Sequence, residues 1–314
     1  MGETPQSPDP RMDLYAAPQQ QVRVGRRRRL NVLLTGAGPV TAILAAGGGG
    51  STINWGYVQA ALSRDHRVLS YDRAGMGFSE PGPLPRTTAR SVDDLRAALA
   101  ALDIKPPFVV VGHSMGSFDA RLFAFRYPDE VIGMVLVDPR GDSFNARLFA
   151  AAPSFVRGYA AERRRLRRFA ALAARHPKPG SPEYAEIVQP EDPLLTPAVN
   201  AAFRALALRA SYWRTVLSEG RSLESASELE LEAARRSLDI PLIVLTASRA
   251  ALEGETAEET QAIIEMWRAS HEELAALSTR GERRDVPDVG HIIPTERPDV
   301  VVAAIREAVG AGRR

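Results

Sequence analysis

The stretch Val109-Val110-Val111-Gly112-His113-Ser114-Met115-Gly116-Ser117 constrains this chain's fold more than any other part of it. Three valines make a short apolar run of the kind that forms a strand buried on both faces. The run ends in Gly-x-Ser-x-Gly, and Phe118-Asp119-Ala120-Arg121-Leu122-Phe123-Ala124 continues in a helix-like pattern. A strand, a sharp turn with serine at its apex and a helix together make a nucleophile elbow. Gly112 and Gly116 supply the space that a strained turn needs on either side of Ser114. The backbone N–H of Met115, at the helix start, can face a developing oxyanion. Ser114 is therefore the candidate nucleophile.

The rest of the chain supplies a sheet around that elbow. Val22-Arg23-Val24, Leu30 to Leu34, Val40 to Ala45, Arg67 to Asp72, Phe108 to Gly112 and Val131 to Asp138 read as strands. Helical patterns at Ser51 to Leu62 and from an N-cap at Ser91 to about Leu102 lie between them. Strands alternating with helices at this spacing predict a parallel α/β sheet. The rhythm breaks over 141–237, where only Ala/Leu/Arg-rich helical pattern occurs, as at Tyr159 to Arg175 and Ala198 to Leu217. A helical insertion after a strand's carboxyl end would cover the crevice where ligands bind in such sheets. Strand character returns at Ile240 to Thr246 and Arg283 to Val286, with helices at Ala257 to Leu277 and Pro298 to Val309. The expected organisation is an arm at 1–20, disordered or loosely docked, a core at 21–140 and 238–314, and a helical cap at 141–237.

Composition excludes several function classes. A net charge of +2 on 314 residues is too small to argue for nucleic acid or an anionic membrane. The dense basic run Arg26 to Arg29 reads as solvated strand-edge charge, and Glu162 to Arg168 as a solvated helix face. With no cysteine, disulfides and thiolate metal sites are excluded. Residues 1–24 carry no apolar signal-peptide core, and no apolar run reaches the roughly 20 residues of a membrane span. A cytoplasmic protein is expected, without cofactor or metal, acting on a small-molecule substrate with neither nucleic acid nor membrane as partner. A homodimer is left open.

A serine hydroxyl needs a base within hydrogen-bond reach and an acid to orient that base. Among the five histidines, His66 begins a strand, and His176 and His271 have no partner visible in the sequence. His113 adjoins the serine and is better placed to line the pocket or pack in the core. His291 follows a short strand and a glycine, late in the chain, where the order Ser…acid…His puts the base. The strand before it ends Leu245-Thr246-Ala247-Ser248-Arg249-Ala250 without a carboxylate; Glu253 and Glu255 come several residues on. The strand after the nucleophile helix ends in Asp138, whose plainer role would be a cap before Pro139. Asp138 is the expected acid, with Glu253, Glu255 and Asp142 as alternatives and the absence of any acid left open. Gly47-Gly48-Gly49-Gly50 follows an earlier strand, and glycine lets the backbone approach a tetrahedral intermediate closely. Gly48 is the expected second oxyanion donor, Gly47 and Gly49 the adjacent alternatives.

These segments resemble the α/β-hydrolase fold superfamily over about residues 21–312. The resemblance rests on Ala45-Ala46-Gly47-Gly48-Gly49-Gly50 with Trp55, on Tyr71-Asp72-Arg73-Ala74-Gly75-Met76-Gly77-Phe78-Ser79, on the elbow, and on Gly290-His291 with Glu296-Arg297-Pro298. It implies an acylated serine, two backbone oxyanion donors and a helical cap, as in the capped esterase- and peptidase-like branch. Some haloalkane-dehalogenase-like members carry the acid at the position matching Asp138. Ala46 stands where many members have histidine, and Ser117 where many have glycine. Hydrolysis of an ester or thioester of a mainly apolar substrate is expected, with a lactone or amide as variants. Acyl transfer or cyclisation by the same residues, and a non-catalytic binding protein, are the rival readings.

Overall fold

Along the strand that leads to Ser114, successive side chains serve two different cores, because a strand's residues alternate between faces. Phe108 and Val110 pack with Leu95, Phe118 and Phe123, whereas Val109 and Val111 pack with Val58, Val301 and Ile305. The computed structural model describes residues 9–25, 28–188, 190–193, 195–249 and 252–312. Strands β1 (Gln20–Val24), β2 (Arg28–Thr35), β3 (Thr41–Ala45), β4 (Arg67–Tyr71), β5 (Phe108–His113), β6 (Val131–Val137), β7 (Leu238–Ala247) and β8 (Ser278–Val286) form one sheet. Its order is β1-β2-β4-β3-β5-β6-β7-β8. The β1–β2 and β2–β4 pairs are antiparallel and the others parallel, so the class is α/β with a mostly parallel sheet.

Register decides what meets at the sheet's carboxyl edge. Ala45 pairs with Gly112, Gly112 with Leu136, and Val137 with Leu245. The glycine loop, the elbow, Asp138 and Ala247 therefore emerge side by side, where ligands bind in open α/β sheets.

Helices α1 (Gly56–Leu62), α2 (Thr88–Ala101) and α3 (Gly116–Arg126) lie between the early strands. After β6 come α4 (Phe144–Ala151), α5 (Ser154–Ala173), α6 (Pro182–Ile187), α7 (Pro197–Ala207), α8 (Ala210–Leu223) and α9 (Ala226–Ala234), with no strand among the described residues there. The chain ends in α10 (Ala257–Ala275), α11 (Ile293–Glu296) and α12 (Pro298–Gly312).

Several boundaries differ from expectation for identifiable reasons. The N-cap of α2 is Thr87, which accepts from the Arg90 N–H, and Ser91 lies buried inside the helix. The long pattern over Ala198 to Leu217 is two helices, broken at Leu208 and Arg209. β8 starts five residues before Arg283, because an edge strand with polar side chains leaves no apolar signature. The arm needs correcting over its second half. Pro10–Ala16 forms a 3-10 helix that buries Met12 and Tyr15 in a cluster with Ile53 and Val199. Of the basic run, Arg28 pairs with Asp94 and Arg29 with Glu80, while Arg26 and Arg27 lie outside the described residues.

Candidate active site

Ser114 sits at the end of β5 with φ 51°, a left-handed conformation that costs a non-glycine residue about 1–3 kcal/mol. Its surroundings hold it there. The Ser114 N–H donates to Val137 O (3.0 Å), and its carbonyl accepts from Ser117 N (3.1 Å) and Arg140 N (3.0 Å). The two flanking glycines are sterically required. A Cβ on Gly112 would stand 2.5 Å from Gly116 O, and one on Gly116 would stand 2.3 Å from Ala45 O.

Asp138 terminates β6, fully buried, and its N–H donates to Leu245 O at 2.7 Å. His291 Nδ1 donates to Asp138 Oδ2 at 2.6 Å, and His291 Nε2 lies 3.0 Å from Ser114 Oγ. This tautomer leaves the Nε2 lone pair facing the serine hydroxyl. The other acid oxygen, Oδ1, accepts from Ala247 N (2.9 Å) and Trp267 Nε1 (3.1 Å). Burial alone would raise the Asp138 pKa, but the His291 bond, electrostatic interaction with the His271 and His291 imidazoles and the Ala247 N–H together hold it below the usual carboxylate value. The alternative acids are elsewhere. Glu253 and Glu255 are exposed, Glu255 pairing with Arg157, and Asp142 is ion-paired with Arg121 and Arg235.

Two further imidazoles brace this arrangement. His113 Nε2 donates to the carbonyl of His291 at 2.9 Å, with the two rings 4.8 Å apart. His271, on α10, accepts from Thr246 Oγ1 (2.8 Å) and donates to Pro139 O (2.9 Å), fixing the backbone beside Asp138. Burial pushes both down to about 4, so both are neutral at physiological pH. Trp267 also packs edge-on to His291. His66 pairs with Asp65 and His176 is exposed, so neither joins the site.

The glycine loop lies against the elbow. A Cβ on Gly47 would be 3.3 Å from Ser114 Cβ, and one on Gly48 would be 3.7 Å from Met115 Sδ. Met115 is the N-cap of α3, where the first backbone N–H groups have no intrahelical acceptor. The loop carbonyls are occupied, that of Gly47 in part by the Gly50 N–H (3.1 Å). Arg73 donates to Ala46 O (2.5 Å) and Gly47 O (2.7 Å), and Tyr212 Oη to Gly49 O (3.1 Å). Beside the loop, Gly49, Gly77, Phe203, Leu206, Tyr212 and Trp213 help to line a cavity of about 240 Å³. Ser114 and His291 are not among its walls; Gly49 and Ser51 are.

Trp267, Arg73 and Tyr212 contribute to the site without having been singled out for it by sequence. Arg73 had a signal in the Asp72-Arg73 motif. Trp267 and Tyr212 sit in ordinary helical pattern. Among the described residues no group of three or more His, Asp or Glu side chains is placed to hold a metal ion, and no helix is long and apolar enough to cross a membrane.

Comparison with known proteins adds a family. The Bacillus subtilis (strain 168) protein YqjL is 38% identical over 104 residues, 33% of this chain and 41% of YqjL, so the match spans well under half of that relative. A thermophilic esterase from Thermogutta terrifontis superposes with a TM-score of 0.62 at 24% identity, covering 95% of this chain and 100% of the esterase. A proposed epoxide hydrolase from Pseudomonas aeruginosa gives 0.64 at 19% identity, covering 94% and 95%. At these identities the likeness is one of fold. The alpha/beta hydrolase family description itself matches residues 42–304, most of the chain, and the protein belongs to the alpha/beta hydrolase family.

Proposed function

We propose that this hydrolase is a serine enzyme that cleaves a carboxylic ester or thioester through an acyl-enzyme on Ser114. The reading is carried by the hydrogen-bond chain from Asp138 through His291 to Ser114, at 2.6 and 3.0 Å. Ser114 Oγ attacks the carbonyl carbon while His291 Nε2 takes its proton. Asp138 stabilises the imidazolium without itself becoming protonated. The N–H groups of Met115 and Gly48 receive the oxyanion. His291 then protonates the leaving alkoxide or thiolate, and water enters by the reverse sequence to free the acid and Ser114.

The neighbours of this fold include both esterase and epoxide-hydrolase descriptions, so the nucleophile must choose between them. Epoxide-opening members use aspartate, and here the apex is Ser114. The aromatic cavity beside Gly49 favours a small, mainly apolar substrate. A fluorophosphonate probe should add one label, located by mass spectrometry on Ser114, and chromogenic esters of graded acyl length should be hydrolysed. Folded protein that neither labels nor turns over any ester would overturn the proposal.

A further inference from the structure

Four consecutive glycines make a poor oxyanion hole by themselves, because without Cβ atoms their peptide planes rotate at little cost. Within the loop one turn bond, from the Gly50 N–H to Gly47 O at 3.1 Å, limits that rotation, and the remaining freedom must be removed from outside. In a trans peptide the C=O and the following N–H point in opposite directions. The peptide that carries the Gly48 N–H also carries the Gly47 carbonyl, and the one that carries the Gly47 N–H carries the Ala46 carbonyl. Both carbonyls accept from one side chain, Arg73, through Nη1 and Nη2. Holding both carbonyls on one guanidinium fixes those two peptide planes, and with them the directions of the Gly47 and Gly48 N–H groups.

Arg73 is fully buried and is itself held from the cap. Glu219 on α8 accepts from Arg73 Nε (2.9 Å) and Nη2 (3.2 Å), while Asp119 on α3 lies 3.9 Å away. Burial works against the guanidinium charge, and Glu219 and Asp119 together more than offset it. Tyr212 and Glu219 are seven residues apart on α8 and so share a helix face. That face reaches the glycine loop twice, directly through Tyr212 to Gly49 O and through Glu219 by way of Arg73.

We infer that Arg73 is the positioning residue of the oxyanion hole, and that Glu219 makes its setting depend on a seated cap. Substrate-binding space and oxyanion donors are then assembled together, and an unseated cap leaves a nucleophile without its oxyanion hole. This rests on the serine-hydrolase reading above and adds to it a group that never touches substrate.

The test compares Arg73→Met, Arg73→Lys, Glu219→Leu and Glu219→Gln in the full chain. Readouts are kcat and KM on a short p-nitrophenyl ester, the fluorophosphonate labelling rate, the Ki of a trifluoromethyl ketone and the melting temperature. Misplaced donors should cost Arg73→Met about 100-fold in kcat and labelling rate. The ketone should weaken by a similar factor while KM changes less than about threefold, since the hole acts on the transition state. Lysine should recover part of the loss, and Glu219→Gln should outperform Glu219→Leu. The Arg73→Met/Glu219→Leu double variant should be no slower than Arg73→Met, because the two act through one chain. A lower melting temperature with unchanged kcat and Ki, or losses that simply add, would overturn the inference. If Arg73→Met does not fold, the Arg73→Lys and Glu219→Gln pair carries the same comparison. Wild-type protein that neither labels nor hydrolyses would instead overturn the serine-hydrolase reading.

Discussion

Replacing Asp138 with asparagine should inactivate the protein by imposing the wrong tautomer on His291. The neighbours of Asp138 decide how the new amide must lie. One carboxylate oxygen faces two donors, Ala247 N and Trp267 Nε1, and the other faces His291 Nδ1. An asparagine oxygen will take the first position, because both partners there can only donate. Its NH₂ then faces His291, so Nδ1 must accept and the ring proton moves to Nε2, toward Ser114. In that form His291 has no lone pair for the serine proton. Turning the amide over would aim NH₂ at the two N–H groups, and each buried donor left unpaired costs about 1–3 kcal/mol. At about 1.4 kcal/mol per factor of ten, a penalty of roughly 2–6 kcal/mol lowers kcat/KM by between about 30-fold and about 10⁴-fold. The upper end agrees with the roughly 10⁴-fold loss that a wrong-tautomer asparagine causes in a serine protease. Steady-state hydrolysis of a chromogenic ester and the fluorophosphonate labelling rate both read this loss. Circular dichroism should show an unchanged fold. Removing one donor in the Asp138→Asn/Trp267→Phe variant makes the productive orientation cheaper, and that variant should be faster than Asp138→Asn by about fivefold or more. Folded Asp138→Asn protein within tenfold of wild type would refute the reasoning, as would a double variant that gains nothing.

Other expectations follow from the same geometry. Ser114→Ala should abolish the acyl-enzyme adduct seen by mass spectrometry, and unchanged turnover in that variant would remove Ser114 from the mechanism. Gly112→Ala should lower stability by at least about 1–3 kcal/mol, because its Cβ has no room against Gly116 O, and denaturant titration would measure it. Acidification has two opposing parts. His113 and His271 are held neutral down to about 4, so their contribution is complete above about pH 6.5 and is lost as pH falls toward 4, up to about 3 kcal/mol each. Asp119, pushed up to about 7 by burial, acts with opposite sign, its contribution being complete below about pH 4 and lost as pH rises through 7. Asp119→Asn removes the opposing part, so its melting temperature should fall more steeply than wild type between pH 6.5 and 4. Parallel slopes would contradict that balance.

Local signals are sufficient for the nucleophile and for the sheet. The elbow is read from neighbours in sequence: a β-branched run, two glycines around a serine, and a helix start. His291 is nominated by its place after a short strand, and chain order does the rest. The long helical stretch after β6 is legible because strand pattern disappears from it. The first half of edge strand β8, before Arg283, and the docked Pro10–Ala16 segment are not legible. One has a polar face where periodicity fails, and the other buries just two residues, Met12 and Tyr15.

By itself the sequence determines a strand–turn–helix that presents Ser114 and the α/β rhythm of strands that surrounds it. Backbone sterics and side-chain period act over a few residues and can be read there. Only the tertiary structure decides which carboxylate faces His291. The answer depends on the parallel register that sets the ends of β6, β7 and β8 beside β5, joining residues 153 positions apart. The Trp267 donor to Asp138 and the ion pair of Arg73 with Glu219 on α8 belong to the same category. A hydrogen bond between distant segments depends on how layers pack, and no local periodicity encodes it.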